Sequence, residues 1–173
     1  MSDLYISWSE YHHTIEQLAI KINESGWKFN QIVCIAKGGL RVGDILSRLF
    51  EQPLAIFSAS SYGGENNQIR GEIKLSQHLS MTTYKIGNKV LLVDDLVDSG
   101  ISLKATKEWL EKHYPEEITE IRSAVLWQKE CSLVAPDYYV HYLADNPWIH
   151  QPFECYEKMS VAELLNQRKE TDQ

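Results

Sequence analysis

This sequence predicts an α/β fold, with a mostly parallel five-stranded core sheet flanked by helices, and three observations predict it. Short apolar runs rich in β-branched residues alternate with stretches of helical period. The runs at residues 32–36 and 90–93 are continuously apolar, the pattern of strands covered on both faces. Glycines and small polar residues stand where those strands should stop and helices begin. Such alternation implies right-handed crossovers and one layered domain over residues 1–173.

Residues 9–25 read as an amphipathic helix, because Tyr11, Ile15, Leu18, Ala19 and Ile22 share one face. Ser9 fits its N-cap, and Gly26 stands where a helix stops. "IVCIA" is the first core strand; Gly38 and Gly39 end it, and residues 40–50 read as its helix. Residues 54–60 form the second strand. Residues 62–85 are polar and weakly periodic, with five Gly or Asn residues (Gly63, Gly64, Asn66, Asn67, Gly71), which marks a functional loop. Residues 90–93 are the third strand and 101–113 its helix. Residues 121–128 and 138–143 are two further strands, and residues 160–167 a last helix before a frayed end. There is no internal repeat, low-complexity tract or linker.

A length of 173 residues suits one domain with a sizeable core. The net charge of −7 argues against broad binding to nucleic acid or anionic membranes, which need a basic surface. Three cysteines without a CxxC spacing disfavour a disulfide framework or a zinc knuckle, so a cytoplasmic protein is expected. The N-terminal "MSDLYISWSE" has neither a basic nor an apolar segment of a signal peptide, and no apolar run has membrane-spanning length.

The chemistry concentrates in "VLLVDDLVDSGISL". Adjacent strand residues point to opposite faces, so Asp94 and Asp95 serve different tasks. Carboxylates at a strand end suit a hard divalent ion or sugar hydroxyls. Asp98, Ser99, Gly100, Ile101 and Ser102 form the mouth of the next helix, where free N–H groups and the dipole attract an anion. Gly100 permits close backbone approach. A lone "DSG" reads as an ordinary acidic helix cap. The whole pattern offers acceptors for hydroxyls and metal beside donors for phosphate, which is what a phosphorylated sugar requires. Neither a P-loop nor a dinucleotide-binding GxGxxG is present.

This stretch resembles the phosphoribosyl pyrophosphate (PRPP) signature of the type I phosphoribosyltransferases. "IVCIAKGGLRVG" is similar to their pyrophosphate loop, and "SASSYGG" to the start of their flexible catalytic loop. "LWQKE" and "DNPWIHQPFE" resemble the base-binding parts of the bacterial xanthine-guanine enzymes. The resemblance spans residues 5–154. It implies the family fold, with a core over about residues 5–143 and a small C-terminal hood over about 144–170.

The resemblance also implies roles. Asp94 and Asp95 would hold the ribose hydroxyls and a PRPP-bound Mg²⁺, and Asp98 would manage the proton of purine N7. Ser99, Gly100, Ile101 and Ser102 would cradle the 5′-phosphate. Amides of Lys37 and Gly38 would meet pyrophosphate, beside a cis peptide at Ala36-Lys37. Lys37 stands where the xanthine-guanine members have Arg, so its side chain brings charge but no bidentate fork. Ser61, Tyr62 and a cation, Arg70 or equally Lys74, would close over the leaving group. Lys129 would favour an oxo group at purine C6. Trp148 would stack on the base, with the carbonyls of Trp148 and Ile149 near its C2 edge.

The expected activity is Mg²⁺-dependent transfer of the phosphoribosyl group from PRPP to a 6-oxopurine, in a homo-oligomer, dimer or tetramer, of the family's kind. A PRPP- or nucleotide-sensing regulator on the same fold, a phosphoribosyltransferase for another base, and a hydrolase using the acidic cluster are the alternatives. His12 and His13 read as an exposed helix flank, His150 as a rim residue and Cys34 as core. Cys131 and Cys155 have no partner base in the sequence pattern and read as non-catalytic.

Overall fold

The computed structural model describes residues 3–61 and 73–171. In chain order the elements are β1 (Asp3–Tyr5), α1 (Trp8–Glu24), β2 (Gln31–Ala36), α2 (Gly39–Phe50), β3 (Leu54–Ser61), β4 (Ile73–Leu75) and β5 (Lys89–Val93). There follow β6 (Leu96–Val97), α3 (Ile101–His113), β7 (Glu120–Lys129), β8 (Tyr138–Leu143), β9 (Trp148–His150), α4 (Cys155–Lys158) and α5 (Val161–Thr171). The chain divides into two compact units, Thr14–Asn146 and a smaller one that joins the first thirteen residues to Pro147–Gln173.

In the larger unit the five expected strands form one parallel sheet: β3 pairs with β2, β2 with β5, β5 with β7, and β7 with β8. Two short strands complete a seven-stranded sheet. β4 pairs antiparallel with β3, and β6 continues the line of β5 along the same side of β7. Residues 62–85 were expected to be loop throughout. Instead the chain returns as β4, and Ser80 bridges to Ile56.

Side-chain alternation explains the layering. Val33 and Ile35 of β2, with Val90 and Leu92 of β5, enter one core cluster with Leu103 and Leu110 of α3. Cys34 points the other way, toward α2, where a Cβ on Gly43 would come within 2.7 Å of the Cys34 Cβ. Helix α1 buries Tyr11, Ile15, Leu18, Ala19 and Ile22, the stripe read from the sequence. Each fully buried Ile or Leu contributes about 1.5–3 kcal/mol.

The N-cap of α1 is Ser7 rather than Ser9. Ser7 Oγ accepts from the Glu10 amide at 3.2 Å, and the Glu10 carboxylate accepts from the Ser7 amide at 2.8 Å. This is a capping box, written as Ser-x-x-Glu in the sequence. Ser160 and Glu163 repeat it at α5. Gly26 ends the first helical region at φ +73°, a conformation that suits glycine.

In the smaller unit β1 and β9 pair in parallel, from Asp3 opposite Trp148 to Tyr5 opposite His150. His150 lies between Asp3 Oδ2 at 3.2 Å and Glu154 Oε2 at 2.9 Å and stacks on Tyr5, so it ties these elements of the smaller unit together. Among the described residues no helix is long and apolar enough to cross a membrane.

Candidate active site

Strands β2 and β5 are parallel neighbours, with Cys34 opposite Val93, so their carboxyl ends open side by side. After β2 the Ala36-Lys37 peptide is cis, as the resemblance implied. Gly38 and Gly39 then lead into α2 against the end of β5. A Cβ on Gly39 would stand 2.6 Å from the Val93 carbonyl oxygen, and one on Gly38 would stand 2.7 Å from the Asp95 carboxyl carbon. At such distances something must move, backbone at Gly39 and the end of the Asp95 side chain at Gly38, so the two glycines let the Lys37-Gly38 loop meet the Asp94-Asp95 pair.

Asp94 sits half-buried at the strand end. Its Oδ1 accepts the Asp95 amide at 2.9 Å, and the Gly39 amide also donates to its carboxylate. Burial, then the neighbouring Asp95 charge, push its pKa well above the usual carboxylate range. The backbone here loosens from a strict ladder. Leu126 and Trp127 both donate to the Asp95 carbonyl, at 3.0 and 3.2 Å, before β6 resumes the pairing.

Beyond β6 a cleft of about 210 Å³ is lined by Asp94, Asp98, Ser99, Gly100 and Ser102 among others. Gly100 precedes α3 at φ +82°, and a Cβ there would press on Ser132 Oγ at 2.8 Å, so the turn requires glycine on both counts. Ser99 Oγ faces the Ile101 amide at 3.4 Å. The opening turn of α3 thus presents its N–H groups beside two serine hydroxyls, a setting for a phosphate.

Asp98 and Lys129 come together. Val97 of β6 is registered with Gln128 of β7, which brings the next residue of each strand to the same level. Lys129 Nζ lies 3.3 Å from Asp98 Oδ2. On the other carboxylate oxygen, Oδ1, the Cys131 thiol donates at 3.3 Å. The sequence reading gave Cys131 no partner; the fold gives it one across 33 positions. No local signal could have announced it, since β6 is two residues long and invisible to periodicity. Burial, then the Asp98 carboxylate, raise the Cys131 pKa, so the group is a protonated donor rather than a nucleophile.

The turn that carries Cys131 is braced. The Cys131 amide donates to Asn146 Oδ1 at 2.9 Å, and the Leu133 amide to the Ser99 carbonyl at 3.1 Å. Asn146 adopts φ +48°, which Asn tolerates better than most residues.

Ser61 ends β3, opposite Ile73 of β4, so the expected catalytic loop links two antiparallel strands. Tyr62 and Arg70 lie outside the described residues. Lys74, the other cation considered, is in β4 opposite Ser60. Trp148 and Ile149 belong to β9 of the smaller unit, the indole exposed and the isoleucine buried.

Residues 7–158 match the family described as phosphoribosyl transferase domain. The xanthine-guanine phosphoribosyltransferase of Idiomarina loihiensis is 26% identical over 155 residues, covering 89% of this chain and 88% of that protein. The crystal structure of a purine phosphoribosyltransferase from Pyrococcus horikoshii is 29% identical with a TM-score of 0.67, over 88% of this chain and 94% of that one. The Helicobacter pylori xanthine-guanine-hypoxanthine phosphoribosyltransferase is similar in fold, with a TM-score of 0.73 at 23% identity, over 91% of this chain and 97% of that one.

Proposed function

We propose that this chain, which belongs to the phosphoribosyl transferase domain family, transfers the 5-phosphoribosyl group of PRPP to N9 of a 6-oxopurine. The observation that carries this reading is the Asp98–Lys129 pair at the rim of an acidic, helix-capped cleft. The cleft answers the sugar phosphate; the pair answers the base. A lysine ammonium has donors only, so it favours a purine with an acceptor at C6. An amino group there would present donor to donor.

In the reaction N9 attacks C1′ of PRPP, the bond from C1′ to pyrophosphate breaks, and the proton at N7 passes to Asp98. A carboxylate within reach of that nitrogen performs general base catalysis. The amides and hydroxyls at the start of α3 hold the 5′-phosphate, and the amides around Gly38 hold the pyrophosphate. By the family resemblance, Trp148 is the residue we assign to stack on the base.

Mg²⁺ fits the donor set. Among the described residues no group of three or more His, Cys, Asp or Glu side chains could hold a metal. Magnesium, however, commonly takes one or two carboxylates and completes its shell with substrate phosphates and water. Asp94 and Asp95 are two such carboxylates, and their mutual repulsion is what a cation relieves. Bound there with PRPP, the ion would neutralise charge on the departing pyrophosphate.

The test is an assay of pyrophosphate release with PRPP, Mg²⁺ and each of guanine, xanthine, hypoxanthine, adenine and uracil. Release with one or more oxopurines is expected. No release with any purine would overturn the enzyme reading, and release with adenine alone would overturn the role of Lys129.

A further inference from the structure

We propose that Cys131 is a positioning residue for the Asp98 carboxylate, holding the oxygen that Lys129 does not. The proposal rests on the reading of Asp98 as the group that takes the purine proton.

Asp98 has a short side chain, 56% exposed, on a connecting turn. In water such a side chain samples several rotamers. The Lys129 ammonium at 3.3 Å fixes one oxygen but leaves the carboxylate plane free to rotate about that point. The Cys131 thiol at 3.3 Å from Oδ1 supplies the second point, and its sulfur also lies 3.7 Å from the Asp98 carbonyl. Two contacts on two oxygens define a plane. Each oxygen keeps a further lone pair, so the carboxylate can still accept a proton.

The thiol can act this way because its own backbone does not wander. Asn146 accepts the Cys131 amide, and the Ser132 amide closes a turn onto the Lys129 carbonyl at 3.2 Å. Lys129 and Cys131 are therefore presented from one braced turn. A thiol is also a weak donor. It orients the carboxylate without placing a second positive charge beside it, which suits a group that must accept a proton.

The test uses the full chain. Cys131→Ala should lower kcat about 2- to 10-fold, the worth of one weak thiol donor, with KM for PRPP unchanged. Cys131→Ser, which keeps a donor, should recover most of that loss. A second readout needs no turnover: the rate at which iodoacetamide alkylates Cys131, read by peptide mass spectrometry at pH 7.5. Asp98→Asn should speed that alkylation several-fold, because burial of the thiol stays as it was while the anion that also holds its proton is lost and Lys129 is retained. Equal kcat in wild type and the Ala variant, or an Ala variant altered only in KM, would overturn the positioning role. An alkylation rate indifferent to Asp98→Asn would overturn the contact itself. A wild type that turns over no purine would remove the enzyme reading and, with it, the positioning role, while the alkylation rates would still decide the contact.

Discussion

Lys129 Nζ and Asp98 Oδ2 lie 3.3 Å apart, and the partners differ in exposure: 7% of the lysine side chain against 56% of the aspartate. An exposed carboxylate that loses its cation is still solvated by water. A buried ammonium that loses its anion has less water to turn to. The pair is thus asymmetric, and its two halves should respond differently to removal.

Asp98→Asn should lower the melting temperature more than Lys129→Met, since Met keeps the length of the buried stem and leaves no buried charge. The cost to Asp98→Asn should be about 1–3 kcal/mol; thermal unfolding of both variants measures it. Equal shifts would contradict the asymmetry. In catalysis Asp98→Asn should reduce kcat by about 10²- to 10⁴-fold, the range for a lost general base. PRPP affinity should change far less, because Asp94 and the α3 amides remain.

Lys129→Met should reduce kcat/KM for guanine and hypoxanthine by about 10- to 100-fold, the size of a charge-assisted hydrogen bond of about 1.5–3 kcal/mol. Any activity with adenine should be unaffected or should rise. Parallel assays of the bases check this, and an equal fall for adenine and guanine would refute base recognition by the lysine.

The glycines give a steric prediction. Gly39→Ala would drive a Cβ into the Val93 carbonyl at 2.6 Å, a backbone atom that cannot swing aside. Gly38→Ala would press on the Asp95 side chain, which can turn. Gly39→Ala should therefore destabilise the fold by about 1–3 kcal/mol, the cost of overpacking. Gly38→Ala should leave the melting temperature close to wild type and raise KM for PRPP. A Gly38→Ala variant with normal KM would show that this carboxylate is not needed where it now stands.

These relationships also show what the sequence could express. The parallel sheet was legible because buried strands such as residues 32–36 and 90–93 write their apolar runs locally. The cleft was legible because the end of β5, the Gly100 turn and α3 are contiguous in the chain. The β1–β9 pair was not, since three-residue strands carry no period and their partners are remote. Neither was the Asp98–Cys131 contact, which depends on the register of β6 against β7. Ser7 was legible as well: the spacing from Ser7 to Glu10 is a capping box, whereas Ser9 only precedes an apolar face.

Asp94 yields the pH prediction. Its pKa is raised by burial and by Asp95, so the folded chain keeps this proton to a higher pH than the unfolded chain, in which an Asp titrates near about 3.9. Below that value both states are protonated and the site costs nothing. As pH rises, the unfolded state ionises first, and folding loses stability until the folded pKa is passed; above it the penalty is constant. Asp94→Asn removes the ionisable group. In metal-free buffer at pH 7.5 it should melt at a higher temperature than wild type, and the gain should shrink as the pH falls toward about 4. PRPP with Mg²⁺ should raise the melting temperature of wild type and barely move that of Asp94→Asn. The carboxylate would then be kept at the expense of stability because the substrate and its metal need the charge. Melting curves across that pH range, with and without PRPP and Mg²⁺, decide the matter. A variant no more stable than wild type at pH 7.5 would mean that the Asp95 and Gly39 amides already offset the burial of the charge.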